Sequence, residues 1–229
     1  MKLQRILLFG IMLDLVHSPV LAQDQKLVPV APYLAAVPIS SHWTTTLRHP
    51  SILGSDGVAV PPTPRGSDEP LTIDTIQDGG ISRVTLNFEN GPPVQIDQKG
   101  NYYIRQTPAG VQLFGTGNGP LSFFALDGFL FAEWVRQEGV AAFQNVVQYE
   151  GVTCFYYKNP KPEANMDPSN GQEAWIDVHT MLPVAARNDG IEADFQFHDP
   201  PTTPLQLSTV EAQLIQSRQK ALQIQSSIR

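Results

Sequence analysis

"AWIDVHTMLPVAARNDGIEADFQF", Ala174 to Phe197, reads as extended segments joined by a short reversal. Asp177 and Thr180 are residue types that bond to nearby backbone groups, so "DVHT" is expected to close a turn. Leu182-Pro183 then begins the returning strand, at a place where a missing N–H is tolerated. Trp175 offers a large face to cover the sheet. A catalytic role for Asp177 needs a paired carboxylate or histidine, and none stands at a recognisable spacing. The stretch is punctuation of a sheet.

Moving outward, residues 71–116 carry the same kind of signal. "ISRVTLNFE" alternates, with Val84, Leu86 and Phe88 on one side and Arg83, Thr85 and Asn87 on the other. "NGPP" reverses the chain before "VQID", "QKG" precedes "NYYIRQ", and "TPAG" precedes "VQLFG". Connections this short imply an antiparallel meander, because parallel strands need longer crossovers. "GTGNGP" lacks the Lys-Ser/Thr ending of a phosphate loop and reads as a turn. "PLSFFALDGFLFAEWVRQ" follows. Pro120 suits the first position of a short helix, but a nearly continuous apolar run leaves helix and strand undivided here.

Residues 114–157 hold 11 of the chain's 20 aromatic residues. Most are expected in the core of a single sheet. One short helix cannot cover Phe123, Phe124, Phe129, Phe131, Trp134 and Phe155 together. Large apolar patches left exposed mark binding sites, so these six are the candidate ligand contacts.

The ends define the organisation. Lys2 and Arg5, the apolar run Ile6–Leu13, and Val20 and Ala22 have the layout of a secretory signal peptide over residues 1–22, with Gln23 as the mature start. Lys2, Arg5 and Asp14 leave with it, so 15 bases and 22 acids become 13 and 21, a net −8. A negative chain without a basic cluster has no footprint for nucleic acid. No later apolar run reaches the roughly 18 residues of a membrane span. Cys154 is the only cysteine, which excludes an intramolecular disulfide framework and reads as a small buried residue. Eight prolines between residues 28 and 70 mark residues 23–70 as an extended arm, with "SHWTTTLRH" (Ser41–His49) as one strand-forming island. Residues 71–199 form the β domain. Residues 200–229 form a Pro-rich spacer and a C-terminal helix, opened by the S-x-x-E capping box of Ser208 and Glu211. Val210, Leu214, Ala221, Ile224 and Ile228 fall on one stripe of it. Docking on its own domain is favoured over a coiled-coil partner, because fewer than three heptads are present.

The order Gly151, Tyr156, Trp175-Ile176-Asp177, Thr180, Leu182-Pro183-Val184, Phe195 and Phe197 resembles the C-terminal half of the LolA-like (LppX-like) periplasmic lipoprotein-carrier superfamily, over about residues 118–198. "GPLSFFAL" is similar to the short helix that precedes this half. The resemblance implies a mainly β fold, a curved antiparallel sheet forming an open half-barrel, with a short helix and a C-terminal helix. In that superfamily a long N-terminal helix plugs the sheet, whereas here the Pro-rich arm stands in its place. A lipid, the terminal helix or a partner then has to complete the cover. G-x-S-x-G, H-E-x-x-H and C-x-x-C are all missing, and the histidines are scattered, so neither a metal site nor a cofactor is expected. A dispersed enzyme site, for example His179 with Cys154, lacks local support. The expected function is an exported, periplasmic or secreted, non-enzymatic bacterial envelope protein that binds or carries an apolar (lipid or acyl) ligand. The alternative is a structural subunit of an envelope assembly, meeting an envelope protein partner through its C-terminal helix.

Overall fold

The computed structural model describes residues 40–53, 58–62, 64–67, 69–107, 110–115, 135, 139–159, 172–188 and 190–227. The signal region 1–22, the arm before residue 40, "GTGNGP" after its first glycine, the expected short helix, and Phe123, Phe124, Phe129, Phe131 and Trp134 lie outside the described residues.

In chain order the strands are β1 (Ser41–Arg48), β2 (Ile52–Leu53), β3 (Ala59–Val60), β4 (Thr72–Asp78), β5 (Ile81–Asn87), β6 (Val94–Lys99), β7 (Tyr102–Thr107) and β8 (Gly110–Gly115). They continue with β9 (Phe143–Tyr149), β10 (Val152–Lys158), β11 (Glu173–Asp177), β12 (Pro183–Asn188) and β13 (Ile191–His198), and the chain ends in helix α1 (Thr209–Ser227). Eleven strands form one open, curved antiparallel sheet in the order β8-β7-β6-β5-β4-β1-β13-β12-β11-β10-β9. The small pair β2-β3 stands apart.

Two meanders, β4–β8 and β9–β13, are joined by β1. Trp43 pairs with Thr75 of β4 on one side and with Phe197 of β13 on the other. The division at residue 70 drawn from proline content does not coincide with the edge of the sheet. Prolines bar central strands only where they stand, and the stretch between Pro38 and Pro50 has none. The "VPPTPRGSDEP" loop is pinned at its end, where Arg65 donates to the carbonyls of Leu47 and Pro70. Hairpin turns follow their residues: Gly79 and Gly80 take φ of 56° and 79°, as the tight turns that match strand twist require.

The Asp177 turn has the expected construction. Its Oδ1 accepts from the N–H of His179 at 2.7 Å and of Thr180 at 3.3 Å, and Thr180 Oγ1 accepts from Leu182 N–H at 3.3 Å. The capping box also forms. Ser208 N–H donates to Glu211 Oε2 at 2.7 Å and Glu211 N–H to Ser208 Oγ at 3.3 Å.

The docking face of α1 differs from the sequence stripe. Glu211 and Ile215 are buried, while Val210 is 54% and Ile224 is 62% exposed. Glu211 and Ile215 are four apart and share a face that lies to one side of the Val210–Leu214–Ala221–Ile224 row; Ile228 is outside the described residues. Periodicity identifies a stripe, but sheet contacts select the face that is buried.

Candidate functional site: the apolar face

Successive strand residues point to opposite faces, and the register carries this parity across the sheet. Trp43, Leu47, Ile73, Val84, Leu86 and Ile96 fall on one face with Phe155, Tyr157, Ala174, Ile176 and Phe195 of the other meander. They form one buried cluster. Two further members, Val135 and Ala142, come from the connection between β8 and β9. Phe143 meets Phe155 and Tyr157 edge-on, at 6.1 and 5.9 Å between ring centres. Each large side chain so buried contributes roughly 1.5–3 kcal/mol.

The charged residues obey the same parity. Arg48, Asp74, Asp78, Arg83, Asp97, Lys99, Lys158, Glu173, Asp177, Arg187, Glu192 and Asp194 all share the opposite face. One charged strand residue breaks the rule. Arg105 pairs with Ile96, and so stands on the apolar face. Its Nε is buried and has no hydrogen-bond partner among the described residues. Thr45, 1% exposed at the centre of the same face, also has an unpartnered Oγ1 among them. Unsatisfied buried donors cost about 1–3 kcal/mol.

The opposite face is held by paired charges. Near β9, Arg187 donates to Glu173 Oε2 at 2.8 Å and through Nε to Glu192 Oε2 at 3.1 Å, while lying over the Trp175 ring at 5.3 Å. Tyr149 donates to Asp194 Oδ1 at 2.9 Å, and Arg48 Nε stands 2.7 Å from Asp194 Oδ2. Burial, followed by the bond to Asp194, holds the Tyr149 hydroxyl far above its ordinary pKa. Cys154 packs here with Trp175 and Ala185. Burial, with the nearby Asp177, pushes its thiol up to about 11. That suits an inert packing residue and not a nucleophile. His179 is exposed in its turn.

Near β8, α1 covers a second network. Arg83 grips the fully buried Asp97 with two bonds, of 2.8 and 2.9 Å. Gln106 donates to Glu211 Oε1 at 3.1 Å. Burial by itself raises the Glu211 carboxyl. Bonds from the Ser208 backbone and hydroxyl and from Gln106, with the contact to Asp97, outweigh it, so Glu211 titrates below the usual carboxylate range. The expected capacity of the terminal helix to cover the apolar face is therefore not used: α1 sits on the charged one.

Midway between the networks, His42 Nε2 lies 2.9 Å from Asp74 Oδ1, and Thr44 Oγ1 is 2.9 Å from His198 Nε2. Among the described residues no group of three His, Cys, Asp or Glu has the geometry to hold a metal. The apolar face offers no carboxylate or histidine from the described strands for proton transfer; it offers a hydrophobic floor, the Arg105 guanidinium and several hydroxyls, of which Thr45 Oγ1 has no partner among the described residues. Of the six aromatic contacts expected from sequence, Phe155 is placed on this floor, 3% exposed. Thr45 and Arg105 were missed. Arg105 looks like any strand arginine until the register of β6 and β7 shows which face it shares.

No family model matches the chain, and no curated protein sequence does. Among solved structures, the Mycobacterium tuberculosis lipoprotein LppX is similar to it at 10% identity, over 74% of this chain and 90% of that one, with a TM-score of 0.40. A likeness this distant bears on neither ligand nor activity.

Proposed function

We propose that the protein is an exported, non-enzymatic envelope protein that holds an apolar ligand, an acyl chain or a lipid, against the apolar face, with the anionic end of the ligand at Arg105. The ligand contacts are Phe155 together with Phe123, Phe124, Phe129, Phe131 and Trp134. One observation carries the reading: the described strands place all their charges on one face except Arg105, whose Nε is buried without a partner among the described residues. A lone guanidinium beside Ile96, on a floor that also holds the unpartnered Thr45 hydroxyl, fits a carboxylate or phosphate joined to a hydrocarbon chain.

The test is a titration followed by tryptophan emission, on delipidated protein, with a fatty acid, the fatty alcohol of the same chain length, and phospholipid vesicles. Charge-assisted bonds are worth about 1.5–3 kcal/mol. Arg105→Met is therefore expected to weaken the fatty acid tenfold or more and leave the alcohol unchanged. If no ligand binds saturably, and mass spectrometry finds no lipid in native extracts, the reading is wrong.

A second reading rests on the distal part of α1, where Leu222 is 43% and Ile224 is 62% exposed. A structural subunit of an envelope assembly would use this surface. A stoichiometric protein partner copurifying with the full chain, and lost on Ile224→Lys, would favour it.

A further inference from the structure

The sheet is open, and its two end strands differ. β8 begins and ends in glycine, Gly110 and Gly115, and α1 packs beside it. β9, "FQNVVQY", has neither glycine nor proline and no charged residue, in a chain of net charge −7. Among the described residues its outer side pairs with nothing. Gln144, Asn145, Val146 and Gln148 are exposed. Edge strands are ordinarily protected by lysine, proline, inward charges or a bulge; β9 has no lysine, proline or charge, and its bulge falls only at the Gln144 end.

The hairpin settles which backbone groups point outward. Glu150 and Gly151, with φ of 47° and 85°, form the two-residue turn between β9 and β10, so Tyr149 and Val152 are the closing pair that exchanges hydrogen bonds. Alternation then turns Tyr149, Val147 and Asn145 toward β10. It turns the N–H and C=O of Gln148 and Val146 away from it. A bulge opposite Tyr156/Tyr157 leaves Gln144 without a partner in β10.

The exposed residues Gln144, Val146 and Gln148 read Gln, Val, Gln, symmetric in sequence about Val146. We propose that a second copy of this chain pairs antiparallel with β9 about a twofold axis through Val146. Val146 then exchanges bonds with its own copy, Gln144 opposes Gln148 of the other chain, and Phe143 opposes Tyr149. The symmetric register pairs the outward N–H and C=O of Val146 with those of its own copy, and an isologous contact closes at two chains. Repulsion between two acidic chains is also smallest along a strand that has no charge. A seven-residue edge buries less than the roughly 1,200 Å² of a standard interface, so the dimer should depend on concentration.

Sedimentation of the mature chain from micromolar to millimolar concentration tests this, with Val146→Pro as the variant. An outward N–H on an edge strand tolerates proline, so Val146→Pro should keep the far-ultraviolet dichroism and lose the dimer. Val146→Cys supplies a second readout. Directly opposed Cα atoms in a hydrogen-bonded pair stand about 5.5 Å apart, within disulfide range. Mild oxidation should therefore link Val146→Cys chains, while Gln144→Cys, which opposes Gln148, links at least tenfold more slowly. A wild-type chain that stays monomeric at every concentration overturns the proposal. So does a Val146→Pro dimer of unchanged strength, or equal cross-linking of the two cysteine variants.

Discussion

The two faces of this sheet are buried by different physics. On the apolar face Ile73, Val84, Ile96 and Ile176 are 3% exposed or less, and apolar contact holds them. On the charged face Glu192, Asp97 and Glu211 are about as deeply buried, at 6%, 0% and 0%, but each is held by guanidinium, tyrosine or amide donors. Apolar burial is non-directional and tolerates substitutions that keep volume. Paired charge is directional, and removing one partner strands the other. The ligand proposed above belongs to the apolar face, and the paired charges of the other face seat α1.

The largest test of this contrast is Ile73→Ala, which opens a cavity at the centre of the apolar face. It should cost about 2–5 kcal/mol, read from the urea midpoint. An apolar ligand should recover part of the loss by filling the site, and a loss below about 1 kcal/mol would show that this face is not the packed core.

Arg187→Ala is the matching lesion on the charged face. Glu173 and Glu192 lose their shared cation, at a site where the arginine side chain is 27% exposed. The expected cost is about 2 kcal/mol. Arg187→Met should cost no more, because its chain still covers Trp175. Equal effects of Arg187→Ala and Arg187→Lys would show that the fork geometry, and not the charge, is what matters.

The smallest effect is confined to α1. Because Glu211 titrates below its ordinary value of about 4.3, its stabilisation is complete above that value and is lost as pH falls through the lower folded one. Hydrogen exchange of the amides of residues 209–215 should quicken in acid before those of β1 do. Glu211→Gln should remove the pH dependence and cost about 1 kcal/mol locally. Simultaneous loss of helix and sheet would mean that the two faces are not independent.

Local chemistry was legible in the residues: the Asp177 turn, the Ser208–Glu211 capping box, the Val84–Leu86–Phe88 alternation, the Ser41–His49 strand and the burial of Cys154 all depend on neighbours within a few positions. Each strand's sequence also divides its side chains between two faces. Which faces join across the sheet was not legible, since that depends on register between residues far apart in the chain, such as Trp43 with Phe197 or Ile96 with Arg105. Only the tertiary structure placed β1 between the two meanders, set Arg105 on the apolar face beside Ile96, seated α1 on the charged face through Glu211 and Ile215, and left β9 at an uncharged edge.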